Sequence, residues 1–136
     1  MLLNQVKKTF QEKEERNWST LYYYFDIHET ILIPDYNNTD PLTFYPYAKE
    51  ALQLISQRED IVLGLYTCSY PEEIERYQAF FKQNNIHFKY VNENPEVPNT
   101  RLGDFRSKFY FSLLAENKTG FDALTEWESI YNYFNI

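Results

Sequence analysis

Apolar residues recur along this chain in two rhythms, short unbroken runs and stripes at helical spacing, and their alternation predicts the element order. Leu3, Val6 and Phe10 stand at helical spacing ahead of the charged segment Gln11 to Arg16, which predicts a short amphipathic N-terminal helix. Such a helix can dock on the domain, contact a second subunit or fray, and the sequence leaves the three open. Thr20 to Ile27 reads as the first strand: a run covered on both faces is continuously apolar rather than alternating. Pro34 to Pro46, with its prolines and Asn37-Asn38, predicts a loop. Ala48, Ala51, Leu52 and Ile55 follow the i, i+3, i+4, i+7 rule of a helix laid on a sheet.

The same reading continues to the C-terminus. Ile61 to Thr67 predicts a second strand. Ser69 with Glu72 matches a capping box around Pro71, and Ile74, Tyr77 and Phe81 supply the buried face of the helix it would open. Phe88 to Val91 predicts a short third strand and Phe109 to Leu114 a fourth. Thr125 with Glu128 again matches a capping box, before a helix striped by Trp127, Ile130, Tyr131 and Phe134. Strands alternating with helices predict an α/β fold, a three-layer α/β/α sandwich around a mostly parallel sheet. Length predicts one domain over residues 1–136, with 1–17 an N-terminal helix or arm and 20–135 the core. A chain of this size buries roughly two-thirds of its unfolded surface.

Charge narrows the partners. The 13 Lys and Arg against 20 Asp and Glu give a net charge of -7, and no window clusters the basic residues that neutralise a phosphate backbone. Nucleic acid is not an expected partner; a small phosphorylated molecule is compatible with the charge. A single cysteine, Cys68, permits no internal disulfide, and no signal peptide or apolar stretch of about 18 residues is visible. The expectation is a cytoplasmic protein with no membrane partner. The 13 Tyr and 11 Phe read as packing composition.

Ligands of open α/β sheets gather outside the carboxyl ends of the strands. Asp26 and His28 follow the first run, Thr67 and Ser69 the second, Glu116 and Asn117 the fourth, and Lys108 stands just before the fourth. A carboxylate nucleophile, a hydroxyl, an ammonium and a second carboxylate suit phosphoryl transfer, where most of the work is positioning and charge neutralisation. A divalent ion between Asp26 and Glu116 would have oxygen donors, which favour Mg²⁺. Each residue also has a plain structural reading: Asp26 a turn carboxylate, His28 a backbone-bonding loop imidazole, Thr67 and Ser69 helix caps, Lys108 a solvated lysine, Glu116 and Asn117 parts of a turn closed by Gly120. Other nucleophiles fit less well. Cys68 lacks an Arg at the spacing of a cysteine-phosphatase loop, His87 has no partner at metal-ligand spacing, and Gly64, Gly103 and Gly120 form no phosphate-binding loop.

Taken in order, these residues resemble the motifs of the haloacid dehalogenase-like (HAD) superfamily of phosphohydrolases. Asp26-Ile27-His28-Glu29-Thr30 resembles the first motif, Leu65-Tyr66-Thr67 the second, Lys108 the third, and Leu114 through Phe121 the fourth, with its Gly-Phe turn. The resemblance spans about residues 20 to 135. It implies a Rossmann-type sheet and a Mg²⁺-dependent phosphatase in which Asp26 forms an aspartyl-phosphate. It implies that Thr67 binds a phosphoryl oxygen, that Lys108 holds Asp26 and the phosphate, and that Thr30, Cys68, Ser69 and Arg106 contact substrate. Asp26, the carbonyl of His28, Glu116 and Asn117 would bind Mg²⁺. Two places depart from the pattern: His28 replaces the Asp that protonates the leaving group, and neutral Asn117 replaces the second acidic residue of the fourth motif. An imidazole can do acid and base work near neutral pH. The departures also sustain an alternative, a catalytically silent binding or regulatory module of the same fold.

The resemblance further implies a capless member, because the intervals where family caps are inserted hold only short loops. Its site would be open to solvent, suiting a phosphorylated substrate that can be large or macromolecular, or completion by a partner subunit, including a homo-oligomer formed through the N-terminal helix. Ile31 to Tyr45 and Asn92 to Arg106 would line the entrance, with Tyr36, Tyr45, Arg101 and Arg106 as substrate contacts.

Overall fold

The computed structural model describes residues 1–37 and 41–136; positions 38–40 of the loop expected over 34–46, Asn38 among them, lie outside the described residues. Four strands form one sheet: β1 (Leu21–Phe25), β2 (Ile61–Leu65), β3 (Tyr90–Val91) and β4 (Leu113–Ala115), in the order β3-β2-β1-β4 and all parallel. Helices α1 (Leu2–Glu15), α2 (Ala48–Ser56), α3 (Pro71–Gln83) and α4 (Trp127–Phe134) flank it. The chain is thus a small α/β fold. Among the described residues no helix is long and apolar enough to cross a membrane.

Strand register fixes what each face carries. Tyr23 pairs with Leu63 and Leu113, and Phe25 with Leu65 and Ala115, so these side chains share one face with Leu21 and Ile61. That face is the core, into which Val6, Leu52, Ile55, Tyr77, Phe81 and Trp127 also project. Trp127 of α4 stacks on Phe25 at 5.6 Å between ring centroids. The N-terminal helix docks on the same face: Val6 is buried and Thr9 shares a hydrogen bond with the Tyr23 hydroxyl.

Tyr22 and Tyr24 point to the opposite face, where the connection between β3 and β4 meets them. The Tyr24 ring lies 4.8 Å from that of Phe109 and its hydroxyl donates to the Glu93 carbonyl at 2.6 Å, while Tyr22 packs edge-on against Tyr110. Tyr24 can lie flat because β2 presents Gly64 beneath it; a Cβ there would overlap the ring.

Several expected boundaries move. The fourth strand begins at Leu113 rather than Phe109, because Phe109, Tyr110 and Phe111 spend their rings on aromatic packing. The third is Tyr90–Val91, the Phe88 ring being turned onto Phe81 at 5.0 Å. The first two stop at Phe25 and Leu65, short of Ile27 and Thr67. Neither capping box forms. Tyr70 precedes α3, and the Ser69 amide donates instead to Thr67 Oγ1 at 3.2 Å. Glu126 precedes α4, and its buried carboxylate accepts the Leu2 amide and the Asp122 amide, each at 2.7 Å, tying α1 to the turn before α4.

Candidate active site

In the order β3-β2-β1-β4 the chain moves outward on one side of β1 and then returns to its other side, so the topological switch lies between the carboxyl ends of β1 and β4. Asp26 directly follows β1 and Glu116 directly follows β4. The Asp26 amide still donates to the Ala115 carbonyl at 3.0 Å, which holds the two ends in register. Both side chains line a hollow of about 370 Å³, with Thr67 and Cys68 reaching it from the end of β2.

Asp26 is half-buried, and its Oδ1 accepts the Ile27 amide at 2.8 Å. Burial raises its carboxyl above the usual range; the Ile27 N–H works against that, Glu116 adds to it, and His28 and Lys118 oppose it. Two carboxylates that repel one another in a partly dry hollow form a hard, oxygen-rich donor set, the kind that holds Mg²⁺ through one or two carboxylates with water completing the shell. Among the described residues no group of three His, Cys, Asp or Glu is placed around a single ion.

Two further polar residues reach the hollow without having stood out in the sequence. Asn92, just past β3, adopts a left-handed backbone (φ 55°), accepts the Thr67 amide at 2.8 Å and donates to the Thr67 carbonyl at 2.6 Å. This pair of bonds fixes the backbone that presents Thr67, whose hydroxyl donates to Ser69 Oγ at 3.0 Å. Lys118 lines the hollow from the short 3-10 turn Asn117–Thr119, and the rings of Tyr66 and Phe109 complete it. Lys118 sits in the segment matched to the fourth motif, two residues beyond Glu116, and that position was its available signal.

Other expected site residues are placed elsewhere. Lys108 is exposed and lines a separate hollow with Phe105 and Tyr110; the cation beside Asp26 is Lys118. Arg106 is exposed and forks onto Asp104 with bonds of 2.9 and 2.7 Å, and Arg101 is exposed as well. Thr30 is fully buried; its carbonyl accepts Trp127 Nε1 at 2.7 Å, and its hydroxyl has no partner among the described residues.

The His28 imidazole turns toward α3. Its Nε2 lies 3.1 Å from the Tyr77 hydroxyl, which itself donates to Glu73 at 3.2 Å, and its Nδ1 is buried without a partner among the described residues. Tyr36 lies beside the imidazole and is largely exposed, and the Tyr45 backbone pairs with Ile31. The Asn117 amide donates to Glu29 at 2.8 Å, and Glu29 itself takes a left-handed backbone (φ 59°). Of the four expected metal ligands, the side chains of Asp26 and Glu116 line the hollow and the Asn117 amide is held by Glu29; the ligand expected from His28 is its backbone carbonyl, so the turn of the imidazole leaves that expectation untouched.

The fold is similar to that of a conserved protein from Bacteroides thetaiotaomicron, with a TM-score of 0.63 over 85% of this chain and 90% of that one, at 19% identity. That likeness shows the parallel α/β fold. No family model matches the sequence, and no curated protein matches it.

Proposed function

We propose that the chain is a HAD-like phosphohydrolase acting through an aspartyl-phosphate on Asp26. The observation that carries this reading is the pair Asp26 and Glu116 at the two strand ends that straddle the switch point, with Thr67 and Lys118 lining the same hollow. The Ile27 amide orients the carboxylate through Oδ1, and Oδ2 is the atom assigned to attack phosphorus. The Thr67 hydroxyl, on turning its proton from Ser69 Oγ to the ligand, and the Lys118 ammonium meet the phosphoryl oxygens, where hydrogen-bond donors and positive charge act most strongly on charge developing in the transition state. Asp26 and Glu116 would hold Mg²⁺. Bound there, the ion supplies neutralisation of the phosphoryl dianion against the carboxylate that attacks it.

The silent-module reading has its own support, because the imidazole expected to protonate the leaving group is held by Tyr77 and Asn117 is held by Glu29. A thermal-shift titration with Mg²⁺ and beryllofluoride, which mimics aspartyl-phosphate, separates the two. A ligand of the native state raises the melting temperature by mass action. The phosphohydrolase reading expects a rise that needs both components and disappears in Asp26→Asn. No rise in wild type would overturn it in favour of the binding module.

A further inference from the structure

The hollow beside Asp26 is larger than a phosphoryl group needs. At about 370 Å³ it holds roughly twelve waters of about 30 Å³ each. Its lining leaves few choices for what fills the remainder. Lys118 is the only cation that lines it among the described residues, so a second phosphate would go uncompensated. The Asn92 amide is spent on Thr67, which leaves little to satisfy the hydroxyls of a sugar.

What the hollow does offer, on the side of the β3–β4 connection, is two rings. Tyr66 and Phe109 stand 6.3 Å apart at 49°, Phe109 is backed by Tyr24, and Tyr66 is 40% exposed although it directly follows a buried strand. The geometry points to an aryl phosphate monoester as the substrate class, its ring held by Tyr66 and Phe109 while its phosphoryl group meets Asp26. This rests on the phosphohydrolase reading above.

The engaged His28 supports the same class on different grounds. A phenol ionises near pKa 10, whereas an alkoxide is nearly as basic as hydroxide, so an aryl oxide departs without a general acid. In the first step Asp26 Oδ2 bonds to phosphorus as the bond from phosphorus to the aryl oxygen breaks. The electron pair leaves with the aryl oxide, which takes a proton from solvent. Water then adds to phosphorus, the bond from phosphorus to Asp26 breaks, and phosphate departs with one proton released to solvent.

Calorimetric titration with phenylphosphonate and methylphosphonate tests the inference without turnover, using wild type, Tyr66→Ala and Phe109→Leu, with retention of fold checked by circular dichroism. The expected result is binding of the phenyl compound tighter by about fivefold or more in wild type, a preference erased in Tyr66→Ala and reduced in Phe109→Leu. Equal affinities in wild type, no binding of either compound, or a preference that survives both substitutions would overturn it. The beryllofluoride titration separates the failures. A shift that depends on Asp26 with no phenyl preference removes the aryl assignment alone, whereas no shift removes the phosphohydrolase reading beneath it.

Discussion

Asp26 occupies a position that costs the fold something. Burial and Glu116 both work against its negative charge, and the Ile27 amide, His28 and Lys118 only partly offset them. In metal-free buffer Asp26→Asn is therefore expected to raise the melting temperature at neutral pH, the opposite of what loss of a structural carboxylate would do; an unchanged or lower value would show that the carboxylate supports the fold. The amide keeps the acceptor that the Ile27 N–H needs, so the comparison isolates charge. That Asp26, Thr67 and Glu116 come together at one hollow is legible in the sequence because each closes or follows an apolar run, and strand ends are where such a fold exposes polar groups. The lysine is not. Lys108 stands just before an aromatic run that reads as the fourth strand and matches the third motif, but the ladder starts at Leu113 and the lysine that lines the hollow is Lys118, beyond Glu116. Nor could the orientation of His28 be read, since it is set by Tyr77, 49 residues away on α3.

At the scale of elements, the sheet owes its second face to a glycine. Gly64→Ala would push a methyl into the Tyr24 ring, which Phe109 backs from the far side. The expected loss is about 1–3 kcal/mol, typical of overpacking, read from urea unfolding. A change near zero would mean that the ring slides aside freely. Glu126 is the corresponding device for α1. Glu126→Ala strands the Leu2 and Asp122 amides, with an expected loss of about 1–3 kcal/mol and faster amide hydrogen exchange through residues 2–15. Unaltered exchange there would show that Val6 and Thr9 suffice to hold the helix. The helices and the first two strands were legible because spacing and unbroken apolar runs report burial directly. The aromatic run from Phe109 was not, since rings that cover a sheet and rings that belong to a strand look alike in one dimension.

Across the whole molecule the acid limb of stability depends on carboxylates whose partners are fixed by the fold. Asp60, just before β2, accepts hydrogen bonds from Arg58 Nε and Nη2 and lies 3.6 Å from Lys13 of α1, and the Arg58 bonds hold its carboxyl below the usual range. A folded value below the unfolded one, about 3.9, gives stability that is present above that pH and lost as pH falls through the folded value. Asp60→Asn should therefore lower stability by about 0.5 kcal/mol at neutral pH and by progressively less toward pH 2, measured as melting temperature against pH. An equal deficit at both ends would assign the effect to packing. Residues 92–112 lie outside helix and strand, a stretch longer than most structureless loops, and side-chain ties such as Tyr24 to Glu93 and Tyr22 to Glu96 fasten them to the sheet, while Asn94 bonds across the segment to Tyr110. Segments held in this way open at a lower free energy than the strands they cover. The hollow therefore has two lifetimes: its floor persists as long as the sheet, whereas its Phe109 wall lasts only until the connection lifts. A ligand stacked on that ring would hold the connection down and make its opening rarer.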